Sequence, residues 1–148
     1  MNKIRITKEF KFEMAHALMN YDGLCKNIHG HSYLLYVTVI GEPLNTPNHE
    51  KDGMVIDFGD LKNSVRKAII DEFDHALVLN TNIEKEFLKH HNEMFANIVF
   101  VDYQPTSENM LIDFAKRLNK IFTQNIKLHS LKLCETATSY AEWFAQDN

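Results

Sequence analysis

Between Ile4 and Met14 the apolar side chains fall on even numbers (Ile4, Ile6, Phe10, Phe12, Met14), with mostly charged residues between them. A period of two predicts a strand with one buried face, and His16 follows in the same phase at its end. Residues 17–28 (ALMNYDGLCKNI) lose the period and contain Asp22-Gly23, a turn signal, so they read as a loop. From His31 to Ile40 aromatic and β-branched residues predict a second strand, with Tyr33, Leu35, Val37 and Val39 on one face. A loop holding two of the three prolines follows (GEPLNTPNHEKDG).

The period then changes. Phe58, Leu61, Val65, Ala68, Ile69 and Phe73 recur at 3–4 spacing, which predicts an amphipathic helix with Asp57 placed to cap it. Residues 83–93 read as a possible short helix and 97–103 (NIVFVDY) as a strand. Pro105-Thr106-Ser107-Glu108 opens a second long helix with apolar positions Met110, Leu111, Phe114, Leu118, Ile121 and Phe122. Lys127–Thr136 and Tyr140–Phe144 read as two last strands. Strands in hairpin-like pairs, without regular βαβ alternation, predict an α+β fold on an antiparallel sheet.

Composition narrows the possibilities. A chain of 148 residues, 45% hydrophobic and with ten Phe, suits one domain spanning 1–148 around a single core. Net charge is -4 and no basic stripe is visible, which argues against a nucleic-acid partner. Two cysteines are too few for a disulfide scaffold. The segment MNKIRITKEF has no apolar h-region, and no apolar run is long enough to span a membrane. A soluble cytoplasmic protein is the expectation.

The sharpest local motif is His29-Gly30-His31. On extended backbone, residues i and i+2 project to one side, so two imidazoles can grip one ion, and His16 offers a third from the neighbouring face. Three neutral nitrogen ligands on Zn²⁺ leave a fourth position open, which is the catalytic arrangement; three unrelated histidines are the alternative. His49, His90, His91 and His129 read as surface or structural. Cys25 precedes His29 by four residues. It could close a Cys-His₃ structural site, stand beside the metal as a reactive thiolate, or be inert.

Asp74-His75, after the first helix, could form a general acid–base unit or be a helix-end pair. Glu135 shares a strand face with Leu131 and Leu133. A carboxylate in that row needs donors, and a planar heterocycle edge with two N–H groups would supply them, unless the strand has already reached solvent. Thr106, Ser107 and Glu108 could present N–H groups to a ligand or serve only as a cap. Cys134 points to the opposite face and reads as packing.

Six pieces, in order, resemble one family: FKFEMAH ending at His16, Cys-x₃-His-Gly-His at 25–31, GMVIDFGDLK at 53–62, FDHALVLN at 73–80, PTSEN at 105–109 and CET at 134–136. The chain resembles the 6-pyruvoyl-tetrahydropterin synthase family. It is nearest the bacterial branch, the 6-carboxy-5,6,7,8-tetrahydropterin synthases of queuosine biosynthesis. The three-residue gap between Cys25 and His29 and the IDF at 56–58 resemble that branch. Cys25 argues against a cysteine-free branch that makes a folate precursor. The segment from Thr81 to Gln104 is longer than in compact bacterial members.

The resemblance implies a T-fold: a four-stranded antiparallel sheet with two helices on one face, three subunits closing a barrel, two trimers stacking into a homohexamer, and active sites between subunits. It implies zinc on His16, His29 and His31, a catalytic set of Cys25, Asp74 and His75, and a pterin anchored by Glu135 with Thr106 nearby. The implied reaction converts 7,8-dihydroneopterin triphosphate to 6-carboxy-5,6,7,8-tetrahydropterin, with release of acetaldehyde and triphosphate. Two rivals stand beside it: the pyruvoyl-forming reaction on the same scaffold, and a zinc-stabilised binding or assembly protein without turnover.

Overall fold

The structure is a computed structural model that describes residues 2–83 and 95–148. Strands β1 (Ile4–His16) and β2 (His29–Gly41) form an antiparallel pair whose register runs unbroken from Ile4↔Gly41 to His16↔His29. Alternation fixes this register, because a slip by one residue would turn Phe10, Phe12, Leu35 and Val37 out of the core. The same register sets His16 directly opposite His29.

Helix α1 covers Phe58–Val65, passes through a π-helical stretch at Arg66–Ile70 and closes with Asp71–Phe73. The Asp57 carboxylate caps it, accepting from the Gly59 N–H at 2.6 Å. Within the π-helical stretch the Ala68 carbonyl accepts from Arg117 Nη1 at 3.1 Å, a bond that reaches across from α2. Helix α2 (Ser107–Asn119) is capped by Thr106, whose hydroxyl accepts from the Asn109 N–H. Leu61, Val65, Ile69 and Phe73 of α1 meet Met110, Leu111, Phe114 and Leu118 of α2 over the inward face of the sheet, all of them buried.

Helix α2 stops earlier than the spacing predicts. Ile121 lies outside it and is exposed, while Phe122 still reaches the core from the following turn.

The sheet has six strands rather than four. Its order is β4-β3-β1-β2-β5-β6, with β3 at Ala76–Asn80, β4 at Ile98–Val101, β5 at Ile126–Cys134 and β6 at Tyr140–Phe144. It is not wholly antiparallel either, since β3 runs parallel to both β1 and β4. Strand β3 escaped the sequence reading because Ala76-Leu77-Val78-Leu79 is a continuous apolar run, covered on both sides and without a period of two. Most of the short helix expected at 83–93 lies outside the described residues.

Strand β5 switches phase once. A bulge opposite Thr38–Val39 sets His129 out of register, so Leu128 faces the core together with Leu131 and Leu133. Glu135 follows that row just past the strand end. Among the described residues, no helix is long and apolar enough to cross a membrane.

Candidate metal centre and active site

Hairpin register and strand period together bring three imidazoles to one point. Across the β1–β2 pair His16 faces His29, and two residues along β2 His31 projects to the same side. The ligand nitrogens of His16, His29 and His31 all lie within 4.8 Å of one another. Cys25 is outside that cluster, so the closed Cys-His₃ arrangement is not formed.

Two backbone carbonyls orient the rings. His16 Nδ1 is 2.7 Å from the Pro105 carbonyl, and His29 Nδ1 is 2.7 Å from the Asn27 carbonyl. Each Nδ1 must carry the proton to donate, which leaves each Nε2 with a bare lone pair. The two Nε2 atoms then face each other at 3.1 Å. Two lone pairs that close repel unless a cation lies between them. His31 Nε2 is buried without a hydrogen-bond partner and stands 3.5 Å from Glu135 Oε1. A tetrahedral zinc ion with ligands at about 2.0–2.1 Å holds them about 3.3–3.4 Å apart, close to the spacing of the first pair. The three residues therefore fit a divalent ion. Burial, before any other influence, holds the His16 and His31 imidazoles below the ordinary histidine range, so both stay neutral as ligands must.

Glu135 sits where a strand-end carboxylate gains partners from the fold. Ser107 Oγ, itself buried, donates to Glu135 Oε2 at 2.9 Å, and the Glu135 N–H donates to the Ser139 carbonyl in the β5–β6 turn. A cleft of about 310 Å³ is lined by His16, Tyr21, Cys25, Thr106 and Glu135. The thiol, the carboxylate and one imidazole of the histidine cluster thus share one cavity.

Asp74 and His75 lie elsewhere. Asp74 Oδ1 accepts from the Glu13 N–H at 2.9 Å and stands 3.0 Å from His75 Nδ1, so these sequence neighbours do meet through their side chains. The His75 N–H donates to the Glu13 carbonyl, and His75 takes φ +60 to turn the chain from α1 into β3. Histidine is among the few residues that tolerate this left-handed region. Its ring is largely exposed and lines a second cleft, of about 620 Å³, with Met14, Ile28, Gly30 and His31. Within one chain, His75 and Cys25 therefore belong to different clefts, and the histidine cluster touches both.

Sequence reasoning named the three clustered histidines, Cys25 and Glu135 but not the groups that support them. Pro105 and Asn27 act through backbone carbonyls, which carry no residue signature. The sequence offers Ser107 as a backbone N–H donor or a cap, whereas in the structure its hydroxyl holds Glu135. Tyr33 was seen only as a strand residue, yet its ring stacks on Phe12 and lies 5.5 Å from the His31 ring, its hydroxyl buried without a hydrogen-bond partner. Burial, then the nearby Glu135 and Cys25, raises its pKa far beyond the ordinary tyrosine range.

The profile of the 6-pyruvoyl tetrahydropterin synthase family matches residues 5–146, nearly the whole chain. The chain belongs to this family of enzymes. Among its relatives is the 6-carboxy-5,6,7,8-tetrahydropterin synthase of Haemophilus influenzae, 36% identical over 94% of this chain and 97% of that protein. The protein of the same name from Synechocystis is 33% identical over 95% of this chain and 92% of its own. The 6-pyruvoyl tetrahydropterin synthase of Caenorhabditis elegans superposes with a TM-score of 0.69 at 24% identity, over 98% of this chain and 97% of that one. An uncharacterized protein of Wolinella succinogenes superposes at 0.81 and 20% identity, over 98% and 99% of the two chains. The fold is the T-fold of these synthases: a curled sheet with two helices on one face, here extended by two short parallel strands at one edge.

Proposed function

We propose that this protein is a zinc-dependent cytoplasmic lyase of queuosine biosynthesis. With the uptake of one water, it converts 7,8-dihydroneopterin triphosphate to 6-carboxy-5,6,7,8-tetrahydropterin, acetaldehyde and triphosphate. One observation carries the reading: a three-imidazole cluster fitted to a divalent ion contributes His16 to the cleft that holds Cys25 and Glu135. The names of the relatives and the three-residue gap before His29 favour the carboxy product over the pyruvoyl one.

His16, His29 and His31 would hold the ion. When bound, it supplies Lewis acidity that lowers the pKa of hydroxyls on the substrate side chain. Glu135, its carboxylate fixed by Ser107, accepts two N–H groups from the edge of the pterin ring and so sets where the side chain lies. Thr106, at the mouth of α2, borders the same pterin position. Cys25, as thiolate, removes a carbon-bound proton made acidic by the neighbouring imine-like ring. His75, held by Asp74, relays protons. Because His75 and Cys25 line different clefts of one chain, this reading completes each site between subunits, in a homohexamer built as two trimers.

Incubation with dihydroneopterin triphosphate and mass analysis of the products tests the whole reading. Carboxytetrahydropterin and acetaldehyde are expected. A product that keeps its three-carbon side chain would move the protein to the pyruvoyl reaction, and untouched substrate with zinc-loaded protein would end the proposal.

Glu135→Gln should raise the dissociation constant for pterin, because one charged acceptor is lost. Hydrogen bonds to charged groups contribute about 1.5–3 kcal/mol, which corresponds to about 10- to 100-fold in affinity. Unchanged binding by calorimetry would remove Glu135 as the anchor.

A further inference from the structure

Residues 17–28 carry the thiol yet bring little apolar surface to hold them. Leu24 is 87% exposed, and Tyr21 and Ile28 are also exposed. Their regular structure is one 3₁₀ turn, Leu24–Lys26. Inside the loop, the Leu18 N–H donates to the Cys25 carbonyl at 3.0 Å, which fixes Cys25 relative to Leu18 but leaves both free to move together. Something outside the loop has to hold that pair.

Gln104 does so. Its side-chain amide pairs with the backbone of Met19 in both directions: Nε2 donates to the Met19 carbonyl at 2.7 Å, and Oε1 accepts from the Met19 N–H at 3.1 Å. A primary amide presents one donor and one acceptor side by side, so it imitates a strand neighbour. Gln104 thus ties the Leu18–Met19 end of the loop to the start of α2, while at the other end the Leu24 carbonyl accepts from the Asn27 N–H at 3.0 Å and Asn27 Nδ2 at 3.1 Å. Gln104 is itself anchored at the start of α2, its carbonyl accepting from the Thr106 N–H at 2.7 Å and from Asn109 Nδ2 at 3.0 Å.

The geometry points to Gln104 as the positioning residue that sets Cys25 against the metal cluster, acting through Met19 and Leu18. It rests on the reading of Cys25 as the reacting thiol. One short segment then does four jobs. Gln104 clamps the thiol loop, the Pro105 carbonyl orients His16, the Thr106 hydroxyl caps α2, and Ser107 holds Glu135. Thiol, metal and pterin anchor are thereby referred to a single rigid point.

Two variants test this, both in the zinc-loaded protein. Gln104→Glu keeps the shape but sets an acceptor against the Met19 carbonyl; Gln104→Met keeps the length without polarity. In both, kcat should fall about 10- to 100-fold, the usual cost of a thiol misplaced by about 1 Å, with KM within about twofold. Amide exchange at Leu18 and Met19 should quicken about tenfold or more as the loop opens, with α2 amides unchanged and the melting temperature held. Unaltered exchange at Leu18 and Met19 in both variants would overturn the clamp. So would full kcat, or a loss confined to KM. If the unsubstituted protein does not turn over the pterin, the proposed reaction fails, while the exchange readout still decides whether Gln104 holds the loop.

Discussion

His16→Ala should strip the metal and the activity while leaving the protein folded. His16 is the most buried of the three ligands, 2% exposed. Its ring is held by the Pro105 carbonyl at one nitrogen and presented to the cluster at the other. Loss of a partner that merely orients a ligand lowers metal affinity about 10- to 100-fold, so loss of the ligand itself should exceed that. Two imidazoles on β2 would remain, too few to hold zinc at the concentrations of an ordinary assay. The fold has independent support. The core is built from Leu35, Val37, Leu61, Ile69, Met110 and Phe114, all fully buried and none of them at the site. Metal analysis, turnover and a circular dichroism melt of the same sample separate the possibilities. Metal lost, turnover lost and the melt retained is the expected set. A variant that unfolds, together with a wild type that also unfolds when a chelator strips it, would support the rival in which zinc serves only stability. Retained metal with retained turnover would remove His16 from the centre altogether.

Much of this centre was legible because its determinants are periodic. The even-number row that buries Phe10, Phe12 and Met14 also carries His16, and the i, i+2 spacing of His29 and His31 puts both on one side of a strand. Residue type alone was ambiguous, and motif order across the chain settled the family. What stayed hidden was tertiary. The carbonyls of Pro105 and Asn27 that fix the tautomers look like any others in sequence, and Gln104 is a polar residue in a loop until Met19 is seen beside it.

The fold shows the same division. Strands with one buried face announced themselves through alternation. Ala76–Asn80, covered on both sides, did not, and with it went the parallel edge of the sheet. The π turn in α1 was equally silent, because Leu61, Val65, Ile69 and Phe73 keep helical spacing through it. Its stabilising partner is distant. Arg117 reaches the Ala68 carbonyl, pairs with Glu72 and Asp113, and lies over the Phe73 ring.

Cys25→Ala should leave zinc and pterin bound and abolish most of the turnover. The thiol lies outside the three-imidazole cluster, so its removal leaves the imidazoles and their carbonyl partners intact. Nor is it the proposed pterin anchor, a role the reading gives to Glu135, which Ser107 holds. What disappears is the group that takes a proton from carbon, and a positioned acid or base contributes typically about 10²–10⁴-fold to rate. That corresponds to about 3–5 kcal/mol of barrier. The loss should therefore appear in kcat, with KM and metal content close to those of the parent. Cys25→Ser sharpens the test: a hydroxyl fills nearly the same space but is a far weaker acid than a thiol, so at neutral pH serine should rescue little of the rate. Cys134→Ser provides the control. Cys134 ends β5 opposite Leu34 of β2, outside the catalytic cleft, and its replacement should leave kcat unchanged. Full turnover in Cys25→Ala would take the thiol out of the chemistry and return proton removal to Asp74–His75 alone.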